Sequence, residues 1–182
     1  MYKKIDDPSL IALTQLLELD VSSGEMKVFN QRVGIFPLNA VLQILVEVRS
    51  EIGEKKTNKI IRNSGIRFGE KLLESMMMLD KENFIDLNPL QGRESISKIL
   101  SFFGLGKIEY VTDDDKTAVL NYYNSPVKEA KNNLFCILLT GILEGVLSKI
   151  YDKKIRVEEV SCVLKKADRC SFKIYLESYP VS

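Results

Sequence analysis

The chain has 182 residues, 45% of them apolar and 28% charged, a balance that supports one ordinary domain with a real core and excludes a disordered or fibrous chain. Twenty-six basic residues face twenty-five acidic ones, a formal charge of +1 at pH 7, so no strong field draws the chain toward a polyanion. Asp6, Asp7 and Pro8 interrupt the first ten residues and argue against a secretory leader, which makes the cytoplasm the expected compartment. The longest uncharged apolar stretch, Leu134 to Leu143, is too short to span a bilayer.

In chain order, Asp7-Pro8-Ser9 opens an expected helix running to about Leu19, with Leu10, Leu13, Leu16 and Leu17 at helical spacing. Ser22-Ser23-Gly24 reads as a turn, and Met26, Val28, Val33 and Ile35 suggest one or two short strands before Pro37. Leu38, Val41, Leu42, Leu45, Val48 and Ile52 then mark an amphipathic helix closed by Gly53. A second long helix is expected from near Thr57 to Leu79. Gly65 and Gly69 share one of its faces, and together they read as a notch for a neighbouring backbone. Residues 80–91 read as a connection and Glu94 to Phe103 as a short helix.

The period then changes. Lys107–Val111 and Thr117–Tyr123 are strand-like and joined by a polar hairpin connection. Leu134 to Tyr151, preceded by Asn132-Asn133, is an apolar helix expected to be buried against both a sheet and another helix. Ile155–Leu164 and Cys170–Glu177 close the chain as two strands around the turn Lys165 to Arg169. The order strand, strand, helix, strand, strand predicts an α+β fold, a four-stranded antiparallel sheet covered by helices, with a helical N-terminal half. Residues 1–182 are expected to form a single domain, in which residues 1–36 and the 38–52 helix contribute to a homodimer.

The chemistry-bearing residues are three cysteines in a chain with no histidine. Cys162 and Cys170 flank a hairpin turn, and Cys136 lies one turn inside the preceding helix, so all three can meet at one end of the sheet. A tetrahedral metal needs a fourth ligand, and Glu158 and Glu159 are the candidates. Strand alternation places Glu158 on the face of Cys162, whereas a bulge beside the site would favour Glu159. The alternative use of the three thiols is as small buried hydrophobes.

The pieces Cys136, Gly141-Ile-Leu-Glu-Gly145, Val157-Glu-Glu-Val-Ser-Cys162 and Ala167-Asp-Arg-Cys170-Ser-Phe172 resemble the 4-vinyl-reductase-type small-molecule (hydrocarbon) binding domain family. The resemblance spans about Phe135 to Ile174 and extends more loosely to Ile60–Gly69. Ala167 departs from it, standing where a glycine is usual. The resemblance implies one structural Zn2+ held by Cys136, Glu159, Cys162 and Cys170. It also implies a small hydrophobic or aromatic ligand in an apolar cavity, for which Phe68, Met76, Phe102, Phe103, Tyr110 and Tyr122 are the candidate lining. No histidine base, nucleotide fingerprint or nucleophile elbow points to an enzyme. The expected function is therefore small-molecule sensing through a protein partner. A second expectation is an assembly subunit similar to components of vesicle-tethering complexes.

Overall fold

The computed structural model describes residues 17–28, 31–35, 37–79, 96–101, 103–113, 116–127 and 131–176. Two sheets and three long helices account for most of them. Leu17–Asp20 (β1), Glu25–Val28 (β2) and Gln31–Val33 (β3) form an antiparallel meander. The expected helix reaching Leu19 is corrected here: residues 17–20 are a strand paired with β2, and the earlier part of that helix lies outside the described residues. Asp20 explains the turn. Its carboxylate accepts hydrogen bonds from the Ser22 amide (2.9 Å) and the Ser23 hydroxyl (2.7 Å), pinning the hairpin that reverses the chain.

Leu38–Ile52 forms α1 and Glu54–Leu79 forms α2. Gly53 separates them at φ 81°, in left-handed territory that glycine enters without a steric penalty, and its N–H reaches the Arg49 carbonyl. The apolar pattern of α1 divides between two faces. Leu42 is buried and Leu38 and Leu45 pack on the core, whereas Val41, Ile44, Val48 and Ile52 remain exposed.

Lys107–Asp113 (β4), Thr117–Tyr123 (β5), Arg156–Ser161 (β6) and Cys170–Tyr175 (β7) make the second sheet, ordered β4-β5-β7-β6 and antiparallel throughout. Strand alternation turns Ala118, Leu120, Tyr122, Phe172 and Ile174 inward, and all five are buried. Leu134–Ile150 (α3) lies between this sheet and α2. Its turns from Leu139 to Leu147 are buried all round, as the near-continuous apolar sequence predicts for a helix covered on two sides. The side-chain oxygen of Asn132 accepts a hydrogen bond from the Leu134 amide, satisfying one of the free donors at its start.

The crossing of α2 and α3 is built from four glycines. A Cβ placed on Gly65 or Gly69 would overlap the carbonyl oxygen of Leu138 or Ile142. One on Gly141 or Gly145 would overlap that of Arg62 or Ile66. The notch expected on α2 is therefore matched by a notch on α3, and the two backbones meet in van der Waals contact. No helix of the described residues is long and apolar enough to cross a membrane.

Candidate metal centre

The start of α3, the β6 edge and the β6–β7 turn converge on the three cysteines. Cys136 projects from the first turn of α3, Cys162 ends β6, and Cys170 opens β7. All three are free thiols and buried. The Cys170 sulfur stands 3.7 Å from that of Cys136 and 3.7 Å from that of Cys162. With a carboxylate oxygen of Glu159 they form a set of four ligand atoms all within 4.8 Å of one another, a cluster capable of coordinating a metal ion. One oxygen of Glu159 is buried without a hydrogen-bond partner, as suits a group whose partner is a cation.

A register shift between Glu159 and Ser161 decides which glutamate belongs. Glu159 pairs with Phe172 and Ser161 with Ser171, so Val160 is an extra residue and the alternation reverses across it. Glu159 thereby joins the face of Cys162. Glu158 points elsewhere: it accepts a hydrogen bond from the Tyr175 hydroxyl at 2.8 Å and pairs with Arg156. The Tyr175 bond, more than the nearby arginines, draws its carboxyl below the ordinary value.

The turn after β6 is a 3-10 segment, Val163–Lys165, closed by Lys166 in a left-handed conformation at φ 66°. It delivers main-chain N–H groups to the sulfurs. The donors are the amide of Val163 to Cys170 and that of Leu164 to Cys162, earlier in the turn than the Lys166–Arg169 stretch the sequence suggested. The hydrogen bond with Cys136, assisted by the Val163 amide, pulls the Cys170 thiol down to about 6. The same pairing, with burial behind it, pushes Cys136 up. Burial raises Cys162 to about 11. One sulfur of the group is thus held ready as a thiolate.

Beside the cluster lies a charged clamp on which the sequence reading was silent. Arg62 of α2 makes two bonds to the Glu144 carboxylate of α3, at 2.9 and 2.5 Å, and a third at 3.0 Å to the Val157 carbonyl. Glu144 in turn accepts the Val157 N–H at 3.0 Å. β6 is an edge strand, and the pair satisfies its outward N–H and C=O as a neighbouring strand would. The signal was visible in the sequence: Glu144 is the one charged residue between Leu134 and Ser148. A cavity of about 330 Å³ opens next to the clamp, lined by Arg62, Cys136, Ile137, Thr140, Val157, Glu158 and Glu159.

The six candidate pocket residues are more scattered. Tyr122 is buried, stacked with Phe135 at 6.4 Å and bonded through its hydroxyl to the Leu105 carbonyl. It borders a cavity of about 230 Å³ with Asn124, Val163 and Arg169. Tyr110 packs against the core, Phe68 and Phe103 are exposed on the surface, and Phe102 and the Met76 side chain lie outside the described residues.

Comparison with known proteins fits this architecture. The family model of the vinyl-4-reductase domain matches residues 121–176, under a third of the chain, and includes the β6 and β7 parts of the cluster as well as Cys136. No curated protein matches the chain. Among solved structures, the phenol-responsive sensory domain of the transcription activator PoxR, bound to phenol, superposes with a TM-score of 0.79 at 15% identity, over 96% of this chain and 91% of that one. A trafficking protein particle complex subunit 3 from Naegleria fowleri, covalently bound to palmitic acid, gives 0.59 at 15% identity over 80% and 96%. An H-NOX protein from S. oneidensis gives 0.55 at 16% over 80% and 78%. At these identities the likeness is one of fold, and the chain carries a vinyl-reductase-like fold domain with a cysteine–glutamate cluster able to hold a metal.

Proposed function

We propose that this is a zinc-stabilised small-molecule sensor domain that acts through a partner protein. The observation that carries the reading is the cluster itself, set in a fold shared along nearly its whole length with a phenol-responsive sensory domain. Zinc suits the donor set. A tetrahedral ion with Zn–S bonds of about 2.3 Å requires sulfur–sulfur edges of roughly 3.8 Å, and two edges here measure 3.7 Å. Cys136, Cys162, Cys170 and Glu159 would fill the four positions, leaving none for substrate, so the ion would tie α3 to the β6–β7 hairpin as a structural staple. The reading assigns no catalytic residue.

The ligand is proposed to be small and apolar or aromatic, as the phenol of the PoxR sensory domain is. Its contacts are proposed among Phe68, Met76, Phe102, Phe103, Tyr110 and Tyr122, with Tyr122 the member already bordering a cavity. Calorimetric titration of the purified chain with phenol and alkyl-substituted phenols tests this. Saturable binding that Tyr122→Ala weakens supports the sensor reading; absence of heat and of any thermal stabilisation across the series overturns it.

A second reading, an assembly subunit, draws on a different observation. Val41, Ile44, Val48 and Ile52 form an exposed apolar stripe along α1, with Ile60 and Phe68 also exposed on α2. The likeness to the trafficking-complex subunit is in keeping with such a role. We propose that α1 and the segment before it form a homodimer interface, which is compatible with either reading.

A further inference from the structure

We propose that Cys136 is an oxidation site for small peroxides and that Cys170 is its resolving thiol, so that oxidation exchanges the metal staple for a Cys136–Cys170 disulfide. The proposal rests on the metal reading above and assigns that site a regulation. Two observations point to it. Of the three cysteines, Cys136 alone lines the 330 Å³ cavity between α2, α3 and β6, while Cys162 and Cys170 do not border it. The rim of that cavity reaches solvent through the side chains of Arg62 and Glu158, which are 40% and 35% exposed. Hydrogen peroxide or a short alkyl hydroperoxide fits such an opening, and a protein oxidant does not.

The second observation is the spacing. Cys170 is 3.7 Å from Cys136, a gap that side-chain rotation closes to the ~2 Å of a disulfide. The Cys136 sulfur attacks one peroxide oxygen: an S–O bond forms, the O–O bond breaks, and the departing oxygen leaves as water or an alcohol with a proton. Cys170 then attacks the resulting sulfenic sulfur, the S–S bond forms, and the S–O bond breaks to release a second water. The two thiols give up two electrons and the peroxide gains them. Only Cys162 and Glu159 then remain as donors, too few to retain the ion.

Zinc content is measured first on the purified full chain, which tests the metal reading separately. The protein is then treated with hydrogen peroxide in the presence of a chromogenic zinc chelator, and the disulfide is mapped. Trypsin cuts at Lys165, Lys166 and Arg169, which separates Cys162 from Cys170. The expected result is one zinc released per Cys136–Cys170 disulfide. Ile137→Trp, which crowds the cavity wall, is expected to slow that release about tenfold with no change in zinc content. If the chain proves zinc-free, the metal reading fails, and the mapped disulfide still decides the thiol chemistry. A Cys162–Cys170 or intermolecular disulfide, or thiols that survive excess peroxide, would overturn the proposal.

Discussion

Glu159 and Glu158 are adjacent, chemically identical and assigned opposite tasks by one inserted residue. Val160 bulges from β6, so Glu159 turns toward the sulfurs while Glu158 stays with Tyr175 and Arg156. Glu159→Gln is expected to weaken zinc binding by well over the roughly 10–100-fold that attends loss of an outer-shell partner. Glu158→Gln should leave it nearly unchanged, and competition with a chelator of known affinity reads both. Equal effects would place the two carboxylates on one face and refute the bulge argument. A second titration concerns Asp20, whose carboxyl is held at about 2 by the Ser22 and Ser23 hydroxyls and amides. Because the folded value lies below the ordinary 3.8, the stabilisation is present above about pH 4 and is lost as pH falls through 2. Replacing both serines with alanine should move the Asp20 titration, followed by NMR, up toward 3.8. The three cysteines were legible in the sequence because thiols in a histidine-free chain at hairpin spacing have few other uses. The choice of glutamate was not, since a bulge leaves no mark in composition and strand parity pointed the wrong way.

The contact between α2 and α3 rests on absent side chains. Gly145→Ala places a methyl group against the Ile66 carbonyl, and helix propensity favours alanine by about 1 kcal/mol. Overpacking costs typically about 1–3 kcal/mol and here meets backbone, which cannot rotate aside. Net destabilisation in urea is expected, and a neutral or stabilised variant would contradict the close crossing. Glu144→Leu should also destabilise, by about 1–3 kcal/mol, because it leaves the Val157 N–H without its acceptor and Arg62 without its counter-charge. The exposure of Arg62 keeps this toward the lower end. Alternation and helical spacing made the four-stranded sheet and the long helices readable in advance. β1 was misread because Leu16 and Leu17 extend an apparent helical repeat, whereas Leu17 and Leu19 also fit a strand and the Asp20 turn selects pairing with β2. The clamp escaped notice because Arg62 and Glu144 are 82 positions apart, and only the glycine crossing brings them together.

For the whole molecule, the account is of a helix-and-sheet scaffold whose metal-bearing corner fixes α3 to the last hairpin and leaves the opposite helices to meet a ligand or a second copy. If α1 is the dimer surface, Ile44→Glu should shift the sedimentation of the chain from dimer to monomer while its circular dichroism is preserved. A dimer that survives would move the interface elsewhere. The central claim, that the four-residue cluster holds structural zinc, is tested most directly by native mass spectrometry of chain purified without chelator or added metal. The account predicts one zinc per chain, lost on denaturation and absent from Cys162→Ala together with a large fall in thermal stability. A folded, metal-free chain as stable as its Cys162→Ala variant would contradict it and return the three cysteines to the core.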